Sequence, residues 1–483
     1  MASEKLPLYK KDPYTIFLTI ITFISLLLFI VYPIYSIIEY GFAKGGIAGL
    51  YGVLQKERFR RIILNTFFVA SLIMVSTTTL GFITAYLTTY LNIPGRKFFS
   101  VIIKLPLMTP TIVVSLSFIT LLGRRGLITR LIGFQMFDIY GWKGILIAST
   151  LVFLPTSHLL ISSVLANIDQ SFEYAANSLG ARDFRALRTI VFPLAMPGIA
   201  NAALLIFIES MANFGIPLVL GGNFRVLSVE IYSQALGRYR IDTAAFLAAL
   251  LLIPSLSFLI LQMYLLSKRG YTTVTGAPTA MEPKQVRGLT KWVPSSILVF
   301  IAGIILIIYG SIVINAFNVA PGLGFEFTFD NFRFMIQQAT KALRNSFLVA
   351  AIAVPLCCSI GITTAYLISR RKFSGEGAMN FVSMMPIGIP GVVIGIGYIL
   401  GFNKPPLLLV GTYLILVINI AFRELPFSVR TGVASLQQID VTIEQASLSL
   451  GAGSLTTYRR VALPLLAKAF MASATYTFIR CMT

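Results

Sequence analysis

Charged residues are scarce in this chain of 483 residues. Asp, Glu, Lys and Arg together make up 12% of it, whereas soluble domains carry about 25%. Hydrophobic residues reach 56%, and the mean hydropathy is +0.83. A soluble fold of this length could not cover so much apolar surface with so few polar side chains. The composition therefore excludes a water-soluble enzyme and a disordered chain.

Histidine, cysteine and phosphate-binding loops are also rare or missing. His158 is the only histidine, and the three cysteines, Cys357, Cys358 and Cys481, lie in apolar runs, which is typical of small buried residues. No Gly-Lys dipeptide occurs in the sequence, so there is no Walker A loop to hold a nucleotide. We therefore expect this chain to bind no metal and no cofactor, and any ATP that it uses must bind another subunit.

Long stretches free of charge are what the sequence does contain. A helix needs about 20 apolar residues to cross a bilayer. The first stretch is too long for a signal peptide and no small-residue cleavage site follows it, so we expect a retained anchor. An eleventh, incomplete span begins near Leu465. The ten clear stretches are 13–38, 62–95, 105–123, 144–168, 189–208, 243–267, 292–325, 345–369, 377–403 and 405–422. The predicted fold class is an all-α polytopic membrane protein.

The two halves of the chain repeat one another. Four pairs of identical residues differ by 280 positions, and such repeats are common in transporters. A second set of four pairs differs by 271 positions, within the segments EYAANSLGARDFRALRTIVFPL and EQASLSLGAGSLTTYRRVALPL. The first set is Asn65 and Asn345, Gly81 and Gly361, Tyr86 and Tyr366, Pro106 and Pro386; the second is Glu173 and Glu444, Ala175 and Ala446, Gly180 and Gly451, Pro193 and Pro464.

Each copy of the second segment is a polar island between apolar spans. Its spacing predicts a short helix, a turn at Gly180 or Gly451, and a second short helix that ends at a proline. Such a projection suits docking into a groove of a partner. The alternative is an amphipathic loop that lies on lipid headgroups, and two matched copies disfavour it.

These two segments resemble the EAA loops in the permeases of binding-protein-dependent ABC importers. The similarity rests on Ala175, Ala176, Gly180 and Pro193 in the first copy, and on Ala446, Gly451 and Pro464 in the second, while Glu173 and Glu444 each lie one residue before the position of the family's glutamate. Tyr174 and Gln445 replace the glutamate that usually precedes the alanine, and Ser447 replaces the second alanine.

Two such loops in one chain resemble the fused permeases of ferric iron importers. The segments 213–217, 220–224, 271–276 and 478–483 are also similar to sequences of that branch. Similar permeases carry aminoethylphosphonate, thiamine, polyamines or sulfate, and these substrates stay open. An ion-coupled secondary transporter and a structural scaffold are the alternatives from other classes, but six spans per half predict parallel rather than inverted repeats.

The resemblance implies a mechanism and a location. A periplasmic binding protein delivers the substrate, and two ATPase subunits bind the two loops in the cytoplasm and drive alternating access. The chain then lies in the bacterial inner membrane with its N-terminus in the cytoplasm, where 19 Lys and Arg residues face inward and 16 face outward. This bias agrees weakly with the positive-inside rule. The net charge of +21 is thus not a nucleic-acid footprint.

Three residues at membrane depth are candidates for the translocation path or for helix pairing. Glu209 and Arg480 are 271 positions apart, so we expect them to pair across the two repeats. His158 is expected to form a hydrogen bond to a neighbouring helix rather than to bind a metal.

The predicted domains are a first repeat at 1–270 with six spans, a cytoplasmic linker at 271–290, and a second repeat at 291–483. The second repeat holds four helices and part of a fifth. In the first repeat 77 residues separate Pro193 from Gly270, whereas 19 separate Pro464 from Thr483. We therefore expect the second repeat to be truncated, with a full-length relative of about 541 residues.

Overall fold

The computed structural model describes residues 6–7, 13–43, 46–135, 137–168, 172, 178, 183–268, 284–285, 289–319 and 326–482. These residues are mainly helical, because in an apolar environment a helix satisfies its backbone hydrogen bonds internally. The α-helices are α1 Pro13–Leu26, α2 Tyr32–Ala43, α3 Gly46–Gln55, α4 Glu57–Ala85, α5 Arg96–Lys104, α6 Thr111–Leu122, α7 Leu127–Ile132, α8 Trp142–Leu165, α9 Asp183–Ala186, α10 Phe192–Ala212, α11 Gly215–Leu220, α12 Leu227–Tyr232, α13 Ile241–Lys268, α14 Leu289–Ala316, α15 Asp330–Phe334, α16 Thr340–Arg370, α17 Glu376–Gly388, α18 Gly391–Phe402, α19 Tyr413–Arg423, α20 Leu425–Gln437, α21 Val441–Ser449, α22 Ser454–Thr457, α23 Leu463–Leu465 and α24 Ala467–Met482.

Among the described residues, eight helices are long and apolar enough to cross a membrane, and ten spans result if two bent pairs are each counted once. This agrees with the predicted all-α polytopic class. Two predicted spans differ in detail. The stretch 377–403 is bent by 114° between α17 and α18, where Pro390 precedes the second helix. The stretch 405–422 contains only the 11-residue α19, which is followed at Glu424 by α20.

Within each half of the chain, one pair of helices makes a close contact through equivalent residues. Gly81 of α4 lies against Ser157 of α8, and Gly361 of α16 lies against Ser428 of α20. Ser157 and Ser428 are 271 positions apart and the glycines 280 apart, so each contact joins the two registers of the sequence repeat. Small residues at these crossings allow the helix backbones to approach closely, as is common between membrane helices.

The chain forms two compact units, and each is assembled from separate stretches of sequence. One unit contains 1–53, 231–256 and 338–483, and the other contains 54–230 and 257–337. The repeat boundaries predicted at 270 and 291 concern sequence similarity rather than compactness, and they stay a prediction.

In the unit that contains α16, the first helices of the chain pack on helices of the second half. α2 lies against α18, and the Tyr398 hydroxyl donates to the Phe29 carbonyl at 2.7 Å. The two-residue strand β1, Leu6–Pro7, pairs in parallel with β4, Arg371–Lys372, directly after α16. The N-terminal segment is therefore located at the end of α16 where that helix stops.

The other unit repeats this arrangement with the halves exchanged. The first helix of the second half, α14, packs against α5 and α6, and the Asn315 amide donates to the Thr120 hydroxyl at 2.9 Å. The strand β3, Lys284–Gln285, pairs in parallel with β2, Leu91–Asn92. β2 and β4 are 280 positions apart, so both units use the same strand position to bind the entry segment of the other half.

Candidate functional site: the repeated polar loops

The second loop forms the predicted helix, glycine turn and helix. Asp440 caps α21 by accepting a hydrogen bond from the Thr442 backbone N–H at 2.9 Å. The chain then turns at Gly451, whose φ of +83° lies in the left-handed region that glycine adopts without a steric penalty. α22 and a π-helical turn, Tyr458–Ala462, follow. Pro464 lies in α23, directly after that turn.

The carboxylate of Glu444 points into the protein and not outward. The residue is 1% exposed. Its Oε1 lies 3.0 Å from Nε of Arg370, which is itself buried at the end of α16. The Tyr366 hydroxyl donates to Oε2 at 3.1 Å. A buried carboxylate requires such a partner cation and hydrogen-bond donor, so these contacts fix the orientation of α21.

Arg370 and Arg371 extend this network to neighbouring segments of the same chain. Nη2 of Arg370 donates to the carbonyl oxygens of Leu436 at 2.9 Å and Ile439 at 2.6 Å, where α20 ends. Nη2 of Arg371 donates to the Tyr366 hydroxyl at 3.1 Å. We call Tyr366, Arg370, Arg371 and Glu444 the charge clamp. It joins the second loop, the end of α16 and the end of α20.

The opposite side of the second loop presents small and apolar groups to solvent. Leu450, directly before the glycine turn, is 88% exposed, and Ile443 is 45% exposed. Gln445, Ala446 and Gly451 are also exposed. A fixed helix that exposes an apolar tip has the character of a docking element, because apolar anchors contribute most when a partner buries them.

The first loop lies largely outside the described residues. Glu173, Ala175, Ala176 and Gly180 are all outside them, so their role stays a prediction. Pro193 is described at the start of α10. The π-helical turn Leu187–Val191 that precedes it is 271 positions before the turn in the second loop. The two copies therefore share the conformation of the segment that leads into the next helix.

His158 is buried in α8. Its Nδ1 lies 3.2 Å from the hydroxyl oxygen of Thr84 in α4. This is the interhelical hydrogen bond expected from the sequence. Within the residues that the structure describes, no group of three or more His, Cys, Asp or Glu side chains could hold a metal ion.

A charged cluster that the sequence only partly indicates lies where α19 meets α20. Oε2 of Glu424 is 3.6 Å from Nε of Arg480, and its Oε1 is 4.0 Å from Nε of Arg423. Glu209 is half-buried in α10, and its pairing with Arg480 stays a prediction. Consecutive opposite charges at positions 423 and 424, inside an otherwise apolar run, are the signal that could have identified Glu424 beforehand.

A second buried carboxylate, Glu230 in α12, was not singled out from the sequence. Its side chain is fully buried, and Nη2 of Arg58 donates to its two oxygens at 2.8 and 3.0 Å. Nη1 of Arg225 lies 3.2 Å from Oε2. Arg58, at the start of α4, is 172 positions from Glu230, so no local spacing could have predicted this ion pair.

Known proteins resemble the whole chain. Residues 77–271 match the family described as binding-protein-dependent transport system inner membrane component. A ferric transport system permease protein of Actinobacillus pleuropneumoniae is 33% identical over 509 residues, covering 100% of this chain and 72% of that protein. A Haemophilus influenzae protein named for the same transport system is 33% identical over 510 residues, covering 100% and 79%. A Helicosporidium protein named for sulfate transport is 33% identical over 187 residues, covering 38% and 69%.

Proposed function

Because this chain belongs to the family of binding-protein-dependent transport system inner membrane components, we propose that it moves ferric iron as the permease of an ATP-driven importer. The family and the apolar helices make it a multi-pass inner membrane protein and the permease subunit of an ABC importer. As a transporter component, the chain itself catalyses no chemical reaction. ATP binds to separate ATPase subunits, and this chain carries no cofactor of its own.

The two ATPase subunits dock on the two polar loops. The observation that carries this assignment is the second loop, which exposes Leu450 while the charge clamp fixes the helix beneath it. A partner groove that covers this tip gains apolar contact without first ordering the loop, which lowers the entropic cost of binding. The matched sequence around Gly180 supplies the second docking element.

The N-terminus lies on the cytoplasmic side. β1 pairs with β4 directly after Arg370, and Arg370 contacts Glu444 in the second loop. The N-terminal segment and this loop are therefore at the same end of their unit, and ATPase docking assigns that end to the cytoplasm. A periplasmic binding protein delivers the substrate to the opposite face.

The cargo assignment rests on coverage. The two ferric permeases match 100% of this chain, whereas the sulfate relative matches 38% of it. We therefore assign ferric iron as the substrate. Sulfate and other small substrates are the alternatives.

Docking is tested by copurification of the ATPase with the full chain in detergent. Leu450→Ala should weaken ATPase binding by about tenfold, the loss typical of one interface anchor. Leu131→Ala is the matched control, because Leu131 is 78% exposed and lies outside the two polar loops. Equal binding by both variants would contradict the docking assignment.

Cargo is tested by ATP hydrolysis of the complex in proteoliposomes. The cognate binding protein loaded with ferric iron should stimulate hydrolysis, and the same protein without iron should not. If a sulfate-loaded binding protein stimulated hydrolysis and the iron-loaded one did not, the substrate would be sulfate and not ferric iron.

A further inference from the structure

Tyr239, between α12 and α13, has a backbone conformation that its residue type disfavours. Its φ is +53°, and among the residues that the structure describes it is the only non-glycine with a positive φ. In this left-handed region the Cβ of an L-residue comes too close to the following carbonyl oxygen. Glycine would adopt the same conformation without that steric cost, so the tyrosine at this position requires an explanation.

The turn that contains Tyr239 is fixed by backbone hydrogen bonds on both sides. A π-helical turn, Ser233–Gly237, follows α12, and its residue Gln234 is buried. The Arg240 N–H donates to the Gln234 carbonyl at 2.8 Å, and the Arg240 carbonyl accepts from the Ala244 N–H of α13 at 3.0 Å. The chain is therefore held directly before and after Tyr239, and this closure imposes the left-handed conformation.

The side chain of Tyr239 gives no packing in return. It is 84% exposed, and within the described part of the chain no hydrogen bond or ring contact involves it. Arg238 and Arg240 on either side are exposed as well. We call residues 238–240 the exposed turn. Strained backbone is typical of functional positions, and tyrosine and arginine are enriched among the residues that dominate binding interfaces.

The position of the exposed turn along the chain assigns it to the outer face. A single helix, α13, separates it from the linker at 271–290, which the proposed orientation places in the cytoplasm. α13 contains 28 residues and is apolar enough to cross a membrane, since about 20 residues suffice. Short loops normally retain their arginines on the cytoplasmic side, so two arginines on the outer face indicate a requirement for positive charge there.

We propose that the exposed turn binds the periplasmic binding protein, with Tyr239 in an apolar pocket of that protein and the two arginines beside its acidic groups. This inference rests on the proposed function, in which such a protein delivers the substrate. A tyrosine buries a large area while losing little side-chain entropy, and a turn that is already fixed need not be ordered on binding. The arginines attract an acidic surface and accelerate association.

Lipid headgroups are the other surroundings that suit these side chains, because tyrosine and arginine both occur at membrane interfaces. A lipid surface is fluid, however, and does not require a particular φ of the residue that enters it. A protein pocket has a fixed shape and accepts a ring in one orientation. The left-handed backbone at Tyr239 therefore favours the protein partner.

The first experiment measures how tightly the iron-loaded cognate binding protein binds the full transporter complex in lipid nanodiscs. Tyr239→Ala should weaken binding about tenfold or more, as expected for an interface anchor, whereas Tyr239→Phe keeps the ring and should stay close to the unaltered chain. Tyr51→Ala is the matched control, because Tyr51 is 63% exposed but lies in the regular helix α3. Equal binding by the Tyr239→Ala and Tyr51→Ala complexes would overturn the proposal.

The second experiment separates binding from folding. Tyr239→Gly removes the ring together with the steric cost of the left-handed backbone. It should therefore weaken binding as much as Tyr239→Ala does, while the thermal midpoint in detergent stays unchanged or rises. A residue with only a structural role would not change these two quantities independently. If Tyr239→Ala lowered the stability in nanodiscs and left binding unchanged, Tyr239 would be a lipid anchor and the proposal would be overturned.

The third experiment tests the charge of the partner. Arg238→Gln combined with Arg240→Gln should lower the association rate constant about tenfold at low salt and make it less dependent on salt. Lysine at both positions keeps the charge and should preserve most of the rate. An unchanged rate would contradict an acidic partner. If the unaltered complex bound no binding protein, the proposed function would fail as well, whereas binding that survives Tyr239→Ala would overturn this inference alone.

Discussion

The contact between Gly361 and Ser428 allows a quantitative test of the repeat. A methyl group added at Gly361 would place its carbon 2.4 Å from both Cβ and Oγ of Ser428, and 3.3 Å from the backbone carbonyl carbon. Carbon atoms normally approach to about 3.5–4.0 Å. The overlap therefore exceeds about 1 Å and cannot be relieved by a rotamer change, because Cβ is fixed to the backbone. α16 and α20 would have to separate.

Overpacking of this kind costs about 1–3 kcal/mol, so Gly361→Ala should lower the free energy of unfolding by that amount. The assay is denaturant or thermal unfolding of the purified chain in mild detergent. Gly303→Ala is the matched control, because an added Cβ at Gly303 in α14 has no atom within 4 Å. Its higher helix propensity should leave stability unchanged or slightly raised.

A second-site change identifies the cause of the loss. Ser428→Gly removes both clashing atoms and should restore most of the stability of Gly361→Ala, whereas Ser428→Ala keeps Cβ and should not. The first repeat should behave alike, since an added Cβ at Gly81 would lie 2.1 Å from Oγ of Ser157. If Gly361→Ala were as stable as Gly303→Ala, the close helix crossing, and with it the physical basis of the repeat register, would be refuted.

Three further predictions concern single contacts. Glu230→Gln should lower the free energy of unfolding by about 2 kcal/mol, the contribution of hydrogen bonds to a charged group, because Arg58 loses its buried partner; an unchanged midpoint in detergent would contradict this. Thr84→Val should cost about 1 kcal/mol in the same assay by leaving Nδ1 of His158 unpaired. The backbone hydrogen bond from Thr442 lowers the pKa of Asp440. The cap should therefore hold as pH falls through the ordinary carboxyl range near 3.9 and weaken only below it, and hydrogen exchange of α21 against pH, with Asp440→Asn as the variant that does not titrate, measures this.

The sequence predicted features that depend on local chemistry. Gly81, Gly361 and the loop glycine Gly451 could be found because a close crossing or a left-handed turn tolerates few other residues. The apolar stretches located the helices because crossing a bilayer requires a certain length. A helix, a turn and a helix could therefore be predicted around Gly451 from spacing alone.

Features that depend on distant partners were not predictable in this way. Arg370 and Glu444 are 74 positions apart, and nothing in the spacing of a polar loop indicates that its acid is buried. The packing of α2 on α18 and of α14 on α6 was missed for a related reason. Uniformly apolar helices carry little information about which neighbour they contact, because lipid and protein surfaces are similarly apolar.

The burial of Glu444 shows that a residue can recur in both copies of the loop without lying on the exposed surface. The paired acids Glu173 and Glu444 drew attention to the loops because they recur at one offset. In the second loop, however, the acid is directed toward Arg370 and the surface is formed by Leu450 and its exposed neighbours. In the second loop, the acid therefore attaches the loop to α16, and other residues form its exposed surface. Under the proposed docking, Leu450 variants should change affinity for the ATPase, whereas Glu444 variants should weaken the attachment of α21 to α16.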